Sequence, residues 1–352
     1  MKKDLLIGLL IGQLLPQSLD VTFRYVTHPG EEFIRIFVPG TMPPGSNEDW
    51  GPNSNGMINP NAPSLMNYDE AIDAYKRGCS CYFLDLNDLY LKNYDAFGRV
   101  KKVKIQLKNK RFVYEIISEE HMNLAKMDAI FLRKDPPVDA SFIDHLSIME
   151  FVSQRTLVLN DPTSIKFATE KIYPLHFKKF LPPTMISKDR TLVLDFIGKQ
   201  KTAILKPLNL SGGREIIKVD SNNPSSGSLV DILTHNGSRY IMAQKFIPEA
   251  MKGDKRILLL DGEVLGSFLR VPPKTDFRGN LHSGAKLKAA KLTVTDQKII
   301  ATIRDDLIKR KLHFVGIDII GNYLTEINVT SPMGIGEINQ LTKTKVEKKV
   351  VD

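Results

Sequence analysis

The stretch DIIGNYLTEINVTSP, residues 318–332, reads as an apolar hairpin that carries two carboxylates and an amide near its turn. Its turn has two readings. A two-residue turn, Gly321-Asn322, sets Asp318 opposite Thr325 and sends Glu326 to the other face. A three-residue turn, Gly321-Asn322-Tyr323, pairs Asp318 with Glu326, and Asn328 then shares their face because strand side chains alternate. Three oxygen donors on one face suit a hard cation such as Mg2+. The plain alternative is a solvated strand face.

Two stretches upstream add groups that bind anions. In AILKPLNLSGGREIIKV (203–219), Lys206 closes a strand, and the loop Ser211-Gly212-Gly213 returns the chain into another. The backbone of a glycine loop can approach phosphate closely, with the lysine as a point charge, although a plain hairpin turn reads as well. The P-loop spacing GxxxxGK[ST] is absent. Further on come GDKRILLLDGE with Arg256, then Arg270, then FRGN with Arg278. Arginines hold carboxylate or phosphate bidentately. The order of strand lysine, glycine loop, arginines and Asp…Glu-x-Asn describes phosphates between two β layers, with a metal on the second.

Working outward, EFIRIFVPG and CYFLDL read as strands on either side of the helix YDEAIDAYKRG, which stops at Gly78. That alternation predicts a parallel α/β sheet. VKIQLKNKRFVYEII reads as a hairpin, MDAIFLRKDPPVD as a strand, SFIDHLSIMEFVSQR as a helix, and TLVLND closes a first domain spanning 34–160. A helix over about 164–180 leads into TLVLDFIGKQ, AILKP, EIIKV and YIMAQKFI, a small α+β unit on antiparallel strands. KRILLLDGEVLGSFLRV is a hairpin by its Asp-Gly turn, VTDQKIIATIRDDLIKRKL an amphipathic helix, and the lysine-rich end KTKVEKKVVD is expected to fray. The loop 41–64, rich in Pro, Gly and Asn, carries the sole tryptophan, Trp50.

Composition narrows the class. The 352 residues, 42% hydrophobic and 25% charged, are those of a globular protein with room for two or three domains. Two cysteines in a C-x-C pair fit neither a zinc knuckle nor a CxxC redox motif, and their scarcity fits a reducing compartment, with the cytoplasm as the expected location. A net charge of +9 implies anionic partners, but no nucleic-acid motif accompanies it, so a nucleotide suffices. The apolar run Leu5–Leu15 falls short of the roughly 20 residues that span a bilayer, and no small-residue cleavage site follows it. Residues 1–33 therefore read as an N-terminal extension, and no membrane partner is expected.

The ordered set LRKDPP, ILKP with its Gly-Gly, MAQKFIP, GDKRILLLDGE, RGN and FVGIDIIGNYLTEINVTSP resembles bacterial-type glutathione synthetase, an ATP-grasp ligase, from about residue 34 to 338. The resemblance implies an N-terminal parallel α/β (pre-ATP-grasp) domain, 34–160, followed by an ATP-grasp fold of two α+β subdomains within 161–352. These are a lid at about 190–247 and a metal and substrate subdomain at about 248–340.

It also implies that ATP meets Lys171, Lys206, Ser211, Gly212 and Gly213 through its phosphates, and Gln244, Lys245, Phe246 and Ile247 along its adenine edge. Asp254 would take the ribose, and Asp318, Glu326 and Asn328 would hold Mg2+ or Mn2+. Arg256, Arg270, Arg278 and Ser331 would face the reacting groups. The implied substrates are γ-glutamylcysteine, glycine and ATP, in a homo-oligomer. Other readings are an ATP-grasp ligase with a different acceptor, or a nucleotide-binding scaffold without turnover. Three departures stand out: Leu210 sits where the family carries a further glycine, HSGAKLK lacks the fuller glycine run, and NAPS (61–64) replaces an Asp-Ser pair.

Overall fold

Residues 34–39, 69–108, 111–134, 138–152, 156–210, 213–279 and 284–352 are described by the computed structural model, with 34–39, 69, 106–108 and 111–113 as backbone. The extension 1–33, the 41–64 loop with Trp50, and Ser211, Gly212 and Asn280 lie outside them.

Three sheets follow one another along the chain. The first holds β1 (Ile34–Pro39), β2 (Ser80–Phe83), β3 (Leu89–Lys92), β4 (Asp95–Lys108), β5 (Arg111–Asn123), β6 (Ala129–Arg133) and β7 (Leu157–Leu159). Its centre, β2-β1-β6-β7, is parallel, and all five residues of β6 are buried, as expected for a strand covered on both faces. The sheet is mixed rather than purely parallel. β4 lies antiparallel to β2 and β3 on one edge and to β5 on the other. β4 starts well before the VKIQL segment, after a tight β3–β4 turn where Asn93 and Tyr94 both take positive φ and so match the strand twist. Helices α1 (Asp69–Lys76) and α2 (Ala140–Met149) accompany the sheet. Asp139 caps α2 by accepting the Phe142 amide at 2.9 Å, which aims Phe142, Leu146 and Met149 into the core.

The second sheet has four antiparallel strands, β8 (Thr184–Ser187), β9 (Thr202–Pro207), β10 (Ile217–Asp220) and β11 (Ile241–Lys245), in the order β10-β9-β11-β8. TLVLDFIGKQ is its helix α4 (Arg190–Gln200), following the short α3 (Pro162–Phe167); Val193, Phe196 and Ile197 fall at helical spacing and are buried. With α5 (Ser226–Thr234) it covers one face and closes a small core of its own.

The third sheet runs β14-β13-β12-β15-β16, from β12 (Asp254–Leu260), β13 (Glu263–Val271), β14 (Lys286–Ala289), β15 (Phe314–Ile320) and β16 (Tyr323–Asn328). The long helix α6 (Val294–Lys309) begins with a reciprocal capping box between Thr293 and Asp296 and buries Ile299, Ile300, Ile303 and Leu307. Those side chains join one apolar cluster that runs from Ile257, Ile317 and Ile327 into Ile130, Phe142 and Leu146. The first and third sheets thus share a core, whereas the second does not.

Two expectations change. The helix read over about 164–180 is two pieces, α3 and a kinked 3-10 segment, Tyr173–Phe180, that carries Pro174 in its first turn. Proline tolerates that place because its missing amide would be unsatisfied there. Between the pieces, the Glu170 carbonyl accepts the Ile327 amide at 3.1 Å, so the break serves as an extra edge for β16. The C-terminal end does not fray. After α7 (Ile335–Thr342), α8 (Glu347–Val351) packs on α1, with Val351 fully buried and Arg77 donating to the Lys348 carbonyl at 3.2 Å.

Candidate active site

The β15–β16 turn combines the two readings of the sequence. It is a two-residue turn, since Ile320 pairs with Tyr323, and Gly321 has φ +60° while Asn322 does not take positive φ. Register then slips by one residue, leaving Thr325 as a bulge, so that Asp318 pairs with Glu326 and Gly316 with Asn328. The three-residue turn is wrong; the pairing it was needed to explain is right. Thr325 donates its hydroxyl to the Asp318 carbonyl at 3.1 Å and pins the bulge. The β12–β13 hairpin repeats the device: Asp261 and Gly262 turn with positive φ, and the register slips between Leu258 and Leu259.

Asp318 is the electrostatic centre. Arg256 grips it with two bonds, Nε to Oδ1 at 2.5 Å and Nη2 to Oδ2 at 2.8 Å, and Arg270 reaches Oδ1 at 3.0 Å. Burial alone would raise the Asp318 pKa, but the two guanidinium groups outweigh it and hold the carboxyl well below the usual range. Asn328 Nδ2 lies 3.4 Å from Asp318 Oδ2 and 3.2 Å from the Gly316 carbonyl. Space at Gly316 is tight: a Cβ would stand 3.2 Å from both Arg256 and Pro332. Arg270 also pairs with Asp254, whose pKa burial pushes up to about 6, although Arg270 opposes the rise.

Lys171 and Lys206 face these carboxylates. Lys171, in the break after α3, donates to the Leu210 carbonyl at the start of the glycine loop, and its Nζ lies 4.0 Å from Glu326 Oε1. It therefore ties the second sheet to the third. Lys206 is buried in β9, with Nζ 3.2 Å from the Gln244 side-chain oxygen; Gln244 in turn donates to Thr184 at 2.9 Å. Burial lowers the Lys206 pKa, partly offset by Glu326.

The other expected residues fall around this centre, some less directly. Lys245 ends β11, and Phe246 and Ile247 begin the passage from the second sheet to the third. The Phe246 ring stands edge-on to Phe277 and carries Lys218 Nζ at 4.5 Å. Arg278 is held by Asp276 through a two-pronged pair, 3.0 Å at Nε and 2.7 Å at Nη2, and Nη1 donates to the Gly213 carbonyl at 3.1 Å. It thus leans on the glycine loop rather than on Asp318. Ser331 lies in the segment leaving β16, whose Met333 carbonyl accepts Arg256 Nη1 at 3.2 Å. Ser211 and Gly212 belong to the undescribed part of the loop.

Sequence reasoning gave no role to three groups here. Glu170 borders Glu326; burial, then Glu326, pushes its pKa up to about 7. Asn160 donates to the Phe314 and Val329 carbonyls, both at 2.7 Å, and accepts the Phe314 amide at 2.8 Å, joining the end of β7 to the hairpin. Arg133, at the end of β6, donates to the Pro332 carbonyl at 2.9 Å. Only Arg133 carried a signal, as part of LRKDPP.

The cluster suits both a polyanion and a hard cation. Asp254 Oδ1 and Arg270 Nε are buried with no hydrogen-bond partner among the described residues. An aspartate, a glutamate and an amide lie on adjacent registers of one hairpin, with two lysines across from them. Unsatisfied polar atoms beside crowded carboxylates mark a place that a ligand completes.

Comparison with known proteins bears on the whole chain. The family profiles "Prokaryotic glutathione synthetase, N-terminal domain" and "Prokaryotic glutathione synthetase, ATP-grasp domain" match residues 70–166 and 170–343. Glutathione synthetase of Synechocystis sp. is 37% identical over 287 residues, covering 79% of this chain and 90% of the relative. That of Pseudomonas aeruginosa is 38% identical over 281 residues, covering 79% and 88%. Among solved structures, the ATP-grasp ligase PsnB superposes with a TM-score of 0.57 at 17% identity, over 92% of this chain and 97% of that one. D-alanyl-alanine synthetase A from Vibrio cholerae gives 0.54 at 10% identity, over 91% and 96%. The structural neighbours establish the ATP-grasp fold, and the sequence relatives establish more: with both halves matched in order and the carboxylate hairpin intact, this chain belongs to the prokaryotic glutathione synthetase family.

Proposed function

We propose that the protein joins γ-glutamylcysteine to glycine at the expense of ATP, making glutathione through an acyl phosphate. The observation that carries this reading is the hairpin face bearing Asp318, Glu326 and Asn328 opposite Lys171 and Lys206. Residues 190–247 act as a lid and 248–340 as the metal and substrate subdomain, behind the first domain, 34–160. ATP lies between them. Lys171, Lys206 and the glycine loop hold its phosphates, the stretch Gln244–Ile247 borders the adenine, and Asp254 takes the ribose once Arg270 releases it. Asp318, Glu326 and Asn328 would hold Mg2+ or Mn2+, which would supply charge neutralisation at the phosphates.

A carboxylate is a poor electrophile until its oxygen is phosphorylated. The cysteinyl carboxylate attacks the γ-phosphorus of ATP, and ADP leaves. The glycine amine then attacks the acyl carbon, and phosphate leaves with the former carboxylate oxygen, while the amine gives up a proton. Arg256 and Arg270 stabilise charge in both steps, with Arg278 and Ser331 near the reacting group. No side-chain nucleophile is needed. We place the enzyme in the cytoplasm as a homo-oligomer; among the described residues, no helix is long and apolar enough to cross a membrane.

A coupled ADP-release assay tests the reading. Release that requires both γ-glutamylcysteine and glycine supports it. Release that requires a different amine indicates another ATP-grasp ligase, and nucleotide binding without turnover on any acceptor indicates a scaffold.

A further inference from the structure

Arg133 has no task in the scheme above, yet its position calls for one. It is the last residue of β6, in register with Pro39, the last residue of β1. The chain leaves β1 toward β2 on one side, and β6 continues to β7 on the other. The β1–β6 boundary is therefore the point where the strand order reverses, and open α/β sheets take their ligands outside the carboxyl ends of the strands at such points.

The side chain is 9% exposed. Among the described residues it makes one hydrogen bond, Nη1 to the Pro332 carbonyl at 2.9 Å, and stands with its Cζ 5.5 Å from the Phe314 ring. It has no carboxylate partner among the described residues, unlike Arg256, Arg270 and Arg278, each of which has at least one. A guanidinium keeps its charge at any ordinary pH and presents five donors, so burying it with one acceptor leaves a deficit that an anion would fill. Arg133 and Arg256 hold consecutive carbonyls, Pro332 and Met333, of one short segment. Arg256 has a carboxylate partner in Asp318; Arg133 has none among the described residues. Two residues after Asn328, the buried Thr330 hydroxyl also lacks a partner among the described residues.

We infer that Arg133 is a substrate-binding residue that takes the non-reacting carboxylate of the dipeptide, on its glutamyl end. This rests on the proposed ligation. The cysteinyl carboxylate must reach the phosphates beside Arg256 and Arg270, so the dipeptide's other carboxylate points away from them, toward the first sheet. A bidentate arginine–carboxylate pair there would fix the register of the extended dipeptide.

The test compares wild type with Arg133→Gln and Arg133→Lys, using γ-glutamylcysteine and its analogue bearing a carboxamide in place of the glutamyl α-carboxylate. The assignment predicts that Arg133→Gln raises the KM for the dipeptide about tenfold or more, with ATP affinity and Tm near wild type and Arg133→Lys intermediate. Wild type should lose a similar factor on the carboxamide, and Arg133→Gln should lose little further. A glutamine variant that still discriminates fully against the carboxamide overturns the assignment, as does one that matches wild type on the dipeptide. Should Tm fall, the ratio of carboxamide to dipeptide KM within each folded variant still decides. Wild-type protein that neither turns over the dipeptide nor binds it by calorimetry overturns the ligation reading as well.

Discussion

Asp318 and Glu326 are register partners, but their burial makes them respond differently to substitution. Asp318 pairs with two guanidinium groups, so Asp318→Asn leaves Arg256 without a carboxylate and Arg270 with Asp254 alone, and should cost about 3–5 kcal/mol in a urea melt. Glu326, 23% exposed and 4.0 Å from its lysine, has no such debt. Glu326→Ala should abolish turnover while changing stability by no more than about 1 kcal/mol. Equal stability loss in the two variants would contradict this division of labour. Glu170 supplies a pH signature. Its folded pKa, raised from 4.5 to about 7 chiefly by burial, means that the native state holds its proton where the unfolded chain has released it. Stability from this group is full below 4.5 and is lost as pH rises through the window up to about 7. In cation-free protein, Glu170→Gln should therefore raise Tm near about pH 8 and change it little near about pH 4.5; a gain confined to acid would show the sign to be wrong. That Asp318 pairs with Glu326 was legible as one of two registers the alternation allows, although the turn that produces it was not. Glu170 and Asn160 were not, since their roles depend on neighbours more than 150 residues away in sequence.

At the level of elements, local pattern told what the strands are and left open how they join. The carboxylate pair could be read from alternation, but a bulge leaves no mark on a sequence: Thr325 looks like any β-branched strand residue until its hydroxyl is seen on the Asp318 carbonyl. Likewise the apolar spacing around residue 170 suits one helix, and only the tertiary bond from Ile327 to the Glu170 carbonyl explains the break. Asn160 is the joint between elements. Its one amide group serves the Phe314 carbonyl, the Phe314 amide and the Val329 carbonyl, all buried. Asn160→Ala strands these groups, at about 1–3 kcal/mol each without full additivity. A total loss of about 3 kcal/mol or more in chemical denaturation is expected, and a loss below about 1 kcal/mol would show that the joint is relieved otherwise.

For the molecule as a whole, the distribution of cores sets what can move. One apolar cluster joins the first and third sheets, while the second sheet and its helices close on themselves and touch the rest through polar ties such as Lys171 to Leu210 and Arg278 to Gly213. Hydrogen exchange should find amides of β8 to β11 less protected than those of β6 and β15 in ligand-free protein, and more protected once a magnesium–nucleotide complex bridges the sheets. The α/β-then-α+β order was visible from segment patterning, yet the sharing of cores was not, because it depends on which apolar faces meet. The most direct test of the central claim is Mn2+ binding by electron paramagnetic resonance in the presence of a non-hydrolysable ATP analogue. Wild type should immobilise the ion, and Glu326→Ala should weaken that binding about tenfold or more; equal immobilisation in both proteins would place the cation elsewhere and remove the hairpin from the mechanism.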